Sequence, residues 1–378
     1  MPPEVNIAAG QAKLTSEGTD NFRMTAFFSD PGALDAEWVA TVECYEVNGF
    51  KLMSDDVSIV MLSSEGEIPQ RGRVEGICLY GDTSESGDPA SGTFGVAVTV
   101  TDKDGGTGQA SFDLTVRNVD PTPTISLDGT TDVGGSATFI GQIGVPMDFP
   151  GTVTDPGSDD LFLAWDWDDG SNAMGTYLAD PPNADPFPSP AMDPRDIADF
   201  RTKTWAAACL YVISLTAIDD DGGEGMDQAN VIIRGASGRA RSSGYWLPLY
   251  RGNRSNAFDQ ATLECYLVIV AYVSEVFDEE RDGTSSFQAA AAVLQVNGNR
   301  GTMSELLDEQ LLGVWLNFAN GGFGWDDLVD TTGNRVGDTP VLEAIQAAEA
   351  VRLDPDASRE ELEAAKNRLE AMNLMHGG

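Results

Sequence analysis

The chain is poor in the residues that most enzymes use to move protons. Its 378 residues contain one histidine, His376, close to the carboxyl end. A Ser-His-Asp or Cys-His site therefore has no usable base, and HExxH and other histidine-rich metal motifs are excluded. Cationic side chains are also scarce: 22 basic residues, of which five are lysine, stand against 61 acidic ones, for a net charge of −39. Such a surface excludes nucleic acid and anionic membranes as partners and leaves cations as the natural ones. Phosphate loops are missing as well, because the paired glycines sit in acidic turns that would repel a phosphate. The longest apolar stretch, around residues 267–273, is too short to span a bilayer, and no secretory leader is visible. A carboxylate pair of glycosidase type is the one catalytic device left, with Asp326, Asp327 and the run Asp278-Glu279-Glu280 as its nearest candidates. In a chain this acidic they read as solvated surface, and the expectation is a protein without catalysis.

Cysteine is limited to Cys44, Cys78, Cys209 and Cys265, with no CxxC spacing, which argues against zinc and thioredoxin-like chemistry. Two arrangements remain open. Cys44 could pair with Cys78 and Cys209 with Cys265, or all four could be partly buried thiols.

What the chain has in abundance is a phrase that occurs twice. GVAVTVTDKDGGTGQASFDLTVRNVDP, from Gly95, returns as LYVISLTAIDDDGGEGMDQANVIIRG, from Leu210, and FFSDPGALD, from Phe27, returns as TVTDPGSDD, from Thr152. Each copy is an alternating strand, an acidic glycine turn and a second strand, so two tandem all-β modules are expected, over 1–119 and 120–235. Residues 118–123 read as a short extended connection. The opening MPPEV reads like another such connection after an added Met, as in a fragment of a longer secreted protein. A proline-rich insertion at 179–199 is expected to be surface loop rather than strand, and 47–92 of the first module to be comparably irregular. Residues 236–244, small and basic, read as a flexible linker. Beyond them apolar residues recur at helical spacing over 258–277, 285–297, 303–320, 340–353 and 358–375, which predicts an all-helical domain over 245–378. Ser358 and Glu361 form a capping box at the last of these.

The repeated turns carry the candidate chemistry. Asp102 and Asp104 in the first module match Asp219, Asp220 and Asp221 in the second, while Asp30 and Asp35 match Asp155, Asp159 and Asp160 in the upstream DPG turns. If both turns lie at one end of a module, four carboxylates converge and repel, and a hard, oxygen-seeking cation of calcium type relieves the repulsion. The alternative is that Asp and Gly supply turn chemistry only.

The phrase DPGSDDLFLAWDWDDGS, followed by LYVISLTAIDDDGGEG and the NVDPTPTI connection, resembles the PKD (polycystic kidney disease) type repeat of secreted bacterial and archaeal proteins. The resemblance covers both modules and is stronger in the second, since the first has EWVATVECYEVNG in place of WDWDDG. It implies immunoglobulin-like β-sandwiches, with Trp165 and Trp167 facing one side of a strand. It further implies calcium at the module ends, held among Asp30, Asp35, Asp102 and Asp104 and among Asp155, Asp160, Asp219 and Asp221. Asn118 and Asp120 would be secondary ligands at the joint. The last region, opening Gly244-Tyr245-Trp246 and containing Gln310-Leu311-Leu312 and 316–321, resembles a carboxyl-terminal helical module of some secreted bacterial proteins. In it Asn317 and Asn320 are expected to hold loops internally.

The fold class expected is thus multidomain, two all-β immunoglobulin-like sandwiches followed by an all-α domain. The expected function is that of a calcium-stabilised structural or adhesive protein, extracellular or on the cell surface. A protein partner or self-association is compatible with that function, and two rival readings stand beside it, one of them a self-assembling filament or surface-layer subunit. The other is polysaccharide binding as the accessory region of a secreted hydrolase, which requires an exposed row of aromatics, with Tyr177, Phe187, Trp205, Tyr245 and Trp246 as candidates.

Overall fold

Strict alternation builds the amino-terminal strands. In the computed structural model, which describes all residues except 19–21, 33–36, 48–49, 55, 65, 82–90, 185–193, 253–257, 278–283, 297–300, 325–326, 331–335 and 375–378, the chain is mostly β with a carboxyl-terminal helical region. Strands β1 (Glu4–Ile7), β2 (Leu14–Ser16), β3 (Phe22–Asp30), β4 (Val39–Val47), β5 (Phe50–Met53), β6 (Val57–Met61), β7 (Gln70–Cys78), β8 (Ser91–Thr101) and β9 (Thr107–Arg117) form two sheets, ordered β1-β3-β7-β6 and β2-β9-β8-β4-β5. Every second residue of β3 points inward, so Met24, Ala26 and Phe28 meet Val96, Val98 and Leu114 of the other sheet in one core. A disulfide between Cys44 and Cys78 joins β4 to β7, and hence one sheet to the other.

The second module repeats the plan with β10 (Thr122–Ile125), β11 (Thr131–Val133), β12 (Ser136–Gln142), β13 (Met147–Asp155), β14 (Leu161–Asp166), β15 (Asn172–Tyr177), β16 (Arg195–Lys203), β17 (Cys209–Ile218) and β18 (Glu224–Arg234). Its sheets are ordered β10-β13-β16 and β11-β12-β18-β17-β14-β15. Trp165 and Trp167 do face one side, their rings stacked 5.2 Å apart in a core completed by Phe149, Trp205, Leu215 and Val231. The edge strands β15 and β16, one from each sheet, are stitched together by side chains: Arg195 donates to the carbonyls of Tyr177 and Leu178, and Arg201 to that of Met174. Those arginines occupy acceptors that an edge would otherwise offer to a foreign strand.

Two expectations are corrected here. Residues 179–199 are not wholly loop, because β16 starts at Arg195, directly after the last proline, and pairs with β13 through Asp199. Residues 47–92 contain β5, β6 and β7, and β7 lies in the middle of its sheet. Glycine in QRGRVEGIC hides its alternation, since Gly72 and Gly76 take inward positions beneath Phe28 and Val42.

The carboxyl-terminal region holds α1 (Ser243–Tyr250), α2 (Gln260–Val273), α3 (Phe287–Val293), α4 (Met303–Ala319), the short strands β19 (Leu328–Val329) and β20 (Thr339–Pro340), α5 (Val341–Leu353) and α6 (Arg359–Asn373). Side-chain caps start α2, α3, α4 and α6, with full capping boxes at Thr302/Glu305 and Ser358/Glu361. No helix among the described residues is long and apolar enough to cross a membrane. Helix α4 is buried all round from Gln310 to Ala319, and the other helices pack about it.

Residues 236–244 are not a free linker. Gly235, Ser237 and Gly238 donate their amides to the carbonyls of Ala319, Asn320 and Gly321, groups that the end of α4 leaves without helical partners. Asn317 holds both the amide and the carbonyl of Arg241, and Asn320 accepts from Tyr266. Val133, Ala208 and Ile232 of the second module belong to the same apolar cluster as α2 and α4, and the Cys209–Cys265 disulfide ties β17 to α2. The helical region is therefore docked on the second module.

One carboxylate lies inside that core. Glu349 accepts from Trp315 Nε1, Ser274 Oγ and the amide of Glu275, and burial pushes its pKa up. Glu349→Ala should lower stability by about 3 kcal/mol, through the lost partners and the void. A carboxyl with a raised folded-state pKa contributes most below its ordinary value and loses that contribution as pH rises through the folded value. Chemical denaturation should accordingly show the penalty of the substitution shrinking from acidic to neutral pH.

Candidate metal centre

The joint between the two β modules is where acidic groups converge. Strand β13 ends at Asp155, whose Oδ1 accepts from Gly157 N at 2.7 Å across the DPG turn, and Asp159 follows two residues after that glycine. Strand β17 leads into Asp219, whose Oδ1 accepts from Gly223 N at 2.6 Å, with Asp221 in the same hairpin. Gly223 is needed for close approach: a Cβ there would collide with Asp219 Oδ2 and lie 2.7 Å from Asn118 Nδ2. From the first module comes Glu17, just past β2, whose Oε1 accepts from Val119 N. Its neighbour Gly18, at φ 58°, sits directly against the Pro156 carbonyl, and Ser158 N donates to Gly81 O at 2.7 Å.

Ligand atoms of Asp155, Asp159 and Asp219 lie within 4.8 Å of one another, and so do those of Glu17, Asp159 and Asp221. These five side chains are only 0–6% exposed. Glu17 Oε2, Asp155 Oδ2, Asp159 Oδ2 and Asn118 Oδ1 are buried without a hydrogen-bond partner. Burial pushes the Glu17 carboxyl up to about 9, with the charges of Asp221, Asp155 and Asp219 adding to the shift. Burial likewise raises Asp159, reinforced by Glu17 and Asp155, and it raises Asp155, Asp219 and Asp220. Unpaired buried carboxylates are among the costliest groups in a protein. A hard cation would relieve this, because oxygens about 2.4 Å from one ion lie up to about 5 Å apart, a spacing compatible with the two groups.

Of the aspartates picked out from the sequence, Asp155, Asp219 and Asp221 are brought together. Asp160 stands outside both groups, its Oδ1 accepting from Ala179 N and its own amide donating to Asp220. Asp159 occupies the inward place instead. In the first module Asp30 and Asp102 repeat the local geometry: Asp30 accepts from Gly32 N, Asp102 from Asp104 N and Gly106 N, and Asp30 Oδ2 is buried without a partner. Asp104 points outward to Lys103 at 2.7 Å, Asp35 lies outside the described residues, and no group of three ligands forms at this end among the described residues. Asn118 reaches the site, donating to Asp219 Oδ2 at 3.0 Å, and Asp120 lies against Gly223 without joining either group.

Glu17 was missed. It lies 102 residues from Val119, whose amide it binds, in a segment with no acidic motif. Only its following glycine hints at a turn.

The other candidates take up structural places. Trp205 and Trp246 are buried, Tyr177 donates to Asp199, and Tyr245 packs on Trp246 and beneath Arg241. Phe187, Asp326, Asp278, Glu279, Glu280 and His376 lie outside the described residues, and Asp327 accepts from Gly324 N.

No protein-family model matches the chain, and no curated protein matches it either. Among solved structures, similarity extends to the PKD domain of an M14-like peptidase from a Thermoplasmatales archaeon, at 18% identity over 31% of this chain and 97% of that one, with a TM-score of 0.22. A tetra-tandem repeat from the extending region of a large adhesion protein is similar at 13% identity over 64% of this chain and 54% of that one, with a TM-score of 0.30. The C-terminal domain of the Streptococcus agalactiae AgI/II polypeptide BspA is similar at 10% identity over 61% of this chain and all of that one, with a TM-score of 0.22.

Asp159→Asn replaces the carboxyl common to both groups, which without metal must take up a proton on folding because burial and its acidic neighbours hold its pKa well above the ordinary carboxylate value. In metal-free buffer at neutral pH the variant should unfold at a higher temperature than the wild type, with a gain of about 1–3 kcal/mol because the amide needs no proton to be buried.

Proposed function

We propose that this chain is a structural or adhesive element of an extracellular or cell-surface protein, in which two immunoglobulin-like sandwiches of PKD type, over 1–119 and 120–235, carry a helical domain over 245–378. Calcium neutralises the acidic module ends, and the protein works by binding and spacing rather than by turnover. The observation that carries this reading is the set of buried, partnerless carboxylate oxygens at the joint, gathered at the spacing of an oxygen-coordinated cation. The two disulfides add support, since such bonds persist in oxidising compartments. The helical domain, fixed to the second sandwich, is held away from the amino-terminal end and is free to meet a protein partner or a second copy.

A thermal melt in millimolar calcium against chelator, with sodium chloride fixed and high, tests the reading because general screening is then constant. Calcium should raise the melting temperature, by the equivalent of about 3 kcal/mol when it stands at a hundred times its dissociation constant. An unchanged melt would reduce the acidic turns to turn chemistry and leave the charge as an adaptation to salt.

A further inference from the structure

The second module makes two joints, and the repeat lets them be compared position by position. Strand β2 runs parallel to β9 with Ser16 opposite Arg117, and β12 runs parallel to β18 with Gln142 opposite Arg234. The next residue donates its amide to that arginine's carbonyl in both cases: Glu17 to Arg117 and Ile143 to Arg234. The one after is a glycine of positive φ, Gly18 or Gly144, whose amide binds the carbonyl of Tyr80 or Trp205. Glu17 and Ile143 therefore hold the same place at the far end of their modules. Ile143 packs against the apolar cluster of the helical region, whereas Glu17 faces the carboxylates of the next module. Asn118 beside the first joint likewise corresponds to Gly235 beside the second.

The acidic joint contains two ligand groups with Asp159 common to both. Glu17, Asp155, Asp159, Asp219 and Asp221 bring five negative charges when ionised; one divalent cation would leave three of them and two would leave one. Arg195, whose charge bears on Asp155, spends its Nη2 on the carbonyls of Tyr177 and Leu178. Buried oxygens without partners occur in both groups, Asp155 Oδ2 in one, Glu17 Oε2 in the other and Asp159 Oδ2 in the residue they share.

Building on the calcium reading above, we propose that the joint takes two divalent cations of the calcium class bridged by Asp159. The inner one, on Asp155, Asp159 and Asp219, belongs to the second module alone. The outer one, on Glu17, Asp159 and Asp221, is shared between modules and fixes the angle between them. The joint to the helical region has an isoleucine where the outer ligand would stand and responds to no cation.

Calcium titrated into the decalcified full chain by calorimetry, at fixed sodium chloride, tests this against Glu17→Gln and Asp159→Asn. Glutamine keeps the acceptor for Val119 N, and melts in chelator check that both variants fold. Glu17→Gln should bind one calcium fewer than the wild type and Asp159→Asn two fewer. Energy transfer between dyes on the first and second modules should tighten with calcium in the wild type and not in Glu17→Gln, while a pair spanning the second module and the helical region stays constant in both. If Glu17→Gln binds as many ions as the wild type and Asp159→Asn binds fewer, the shared ion is overturned and the calcium reading stands. If the wild type itself takes up no calcium, both fall.

Discussion

Five carboxylates packed out of water between two β modules set the terms for everything around them. Like charges in a low-dielectric setting raise one another's pKa and oppose the close approach of the elements that carry them. Here the elements approach nevertheless, with Gly18 against Pro156 and Gly223 against Asp219 and Asn118, at contacts that leave no room for a side chain. A chain built this way either keeps protons on those groups or supplies a counter-charge from solution. Its surplus of acidic residues is thus a feature of particular turns as well as of the surface.

The local part of this arrangement was legible in the sequence. Repeated DPG and DGG turns, the WDW alternation and the capping box at Ser358 are short-range or internally matched signals, and each has its counterpart in the structure, whereas the cysteines left two arrangements open and form the two disulfides. What escaped depends on topology. Glu17 reaches the site only because β2 pairs in parallel with β9, a relation no local pattern encodes. Asp159 rather than Asp160 turns inward because Asp160 is occupied by the amide of Ala179 at the start of the insertion. Helix α1 was hidden by Pro248, and the strap at 235–238 by a composition that suits a free linker until the end of α4 supplies acceptors for its amides.

Glycine misled in both directions. In β7 it concealed a central strand, since Gly72 and Gly76 stand at inward positions where an apolar residue would have shown the alternation. After β18 it implied freedom, yet Gly235 and Gly238 are hydrogen-bonded to the last carbonyls of the helical core. At Gly72, Gly76 and Gly235 the missing side chain makes space for a neighbour, Phe28, Val42 and the Asn320 carbonyl with the Tyr266 hydroxyl respectively, whereas Gly238 faces open space and is set apart by its positive φ.

The Cys209–Cys265 bond joins positions 56 apart and closes a loop that includes β17, β18, the segment at 235–238, α1 and the first turn of α2. A pull on the two ends of the chain passes through that sulfur bridge and leaves the enclosed segment unstretched. Tension between the second module and the helices is carried by that one covalent bridge, and β17 and β18 inside the loop are spared it.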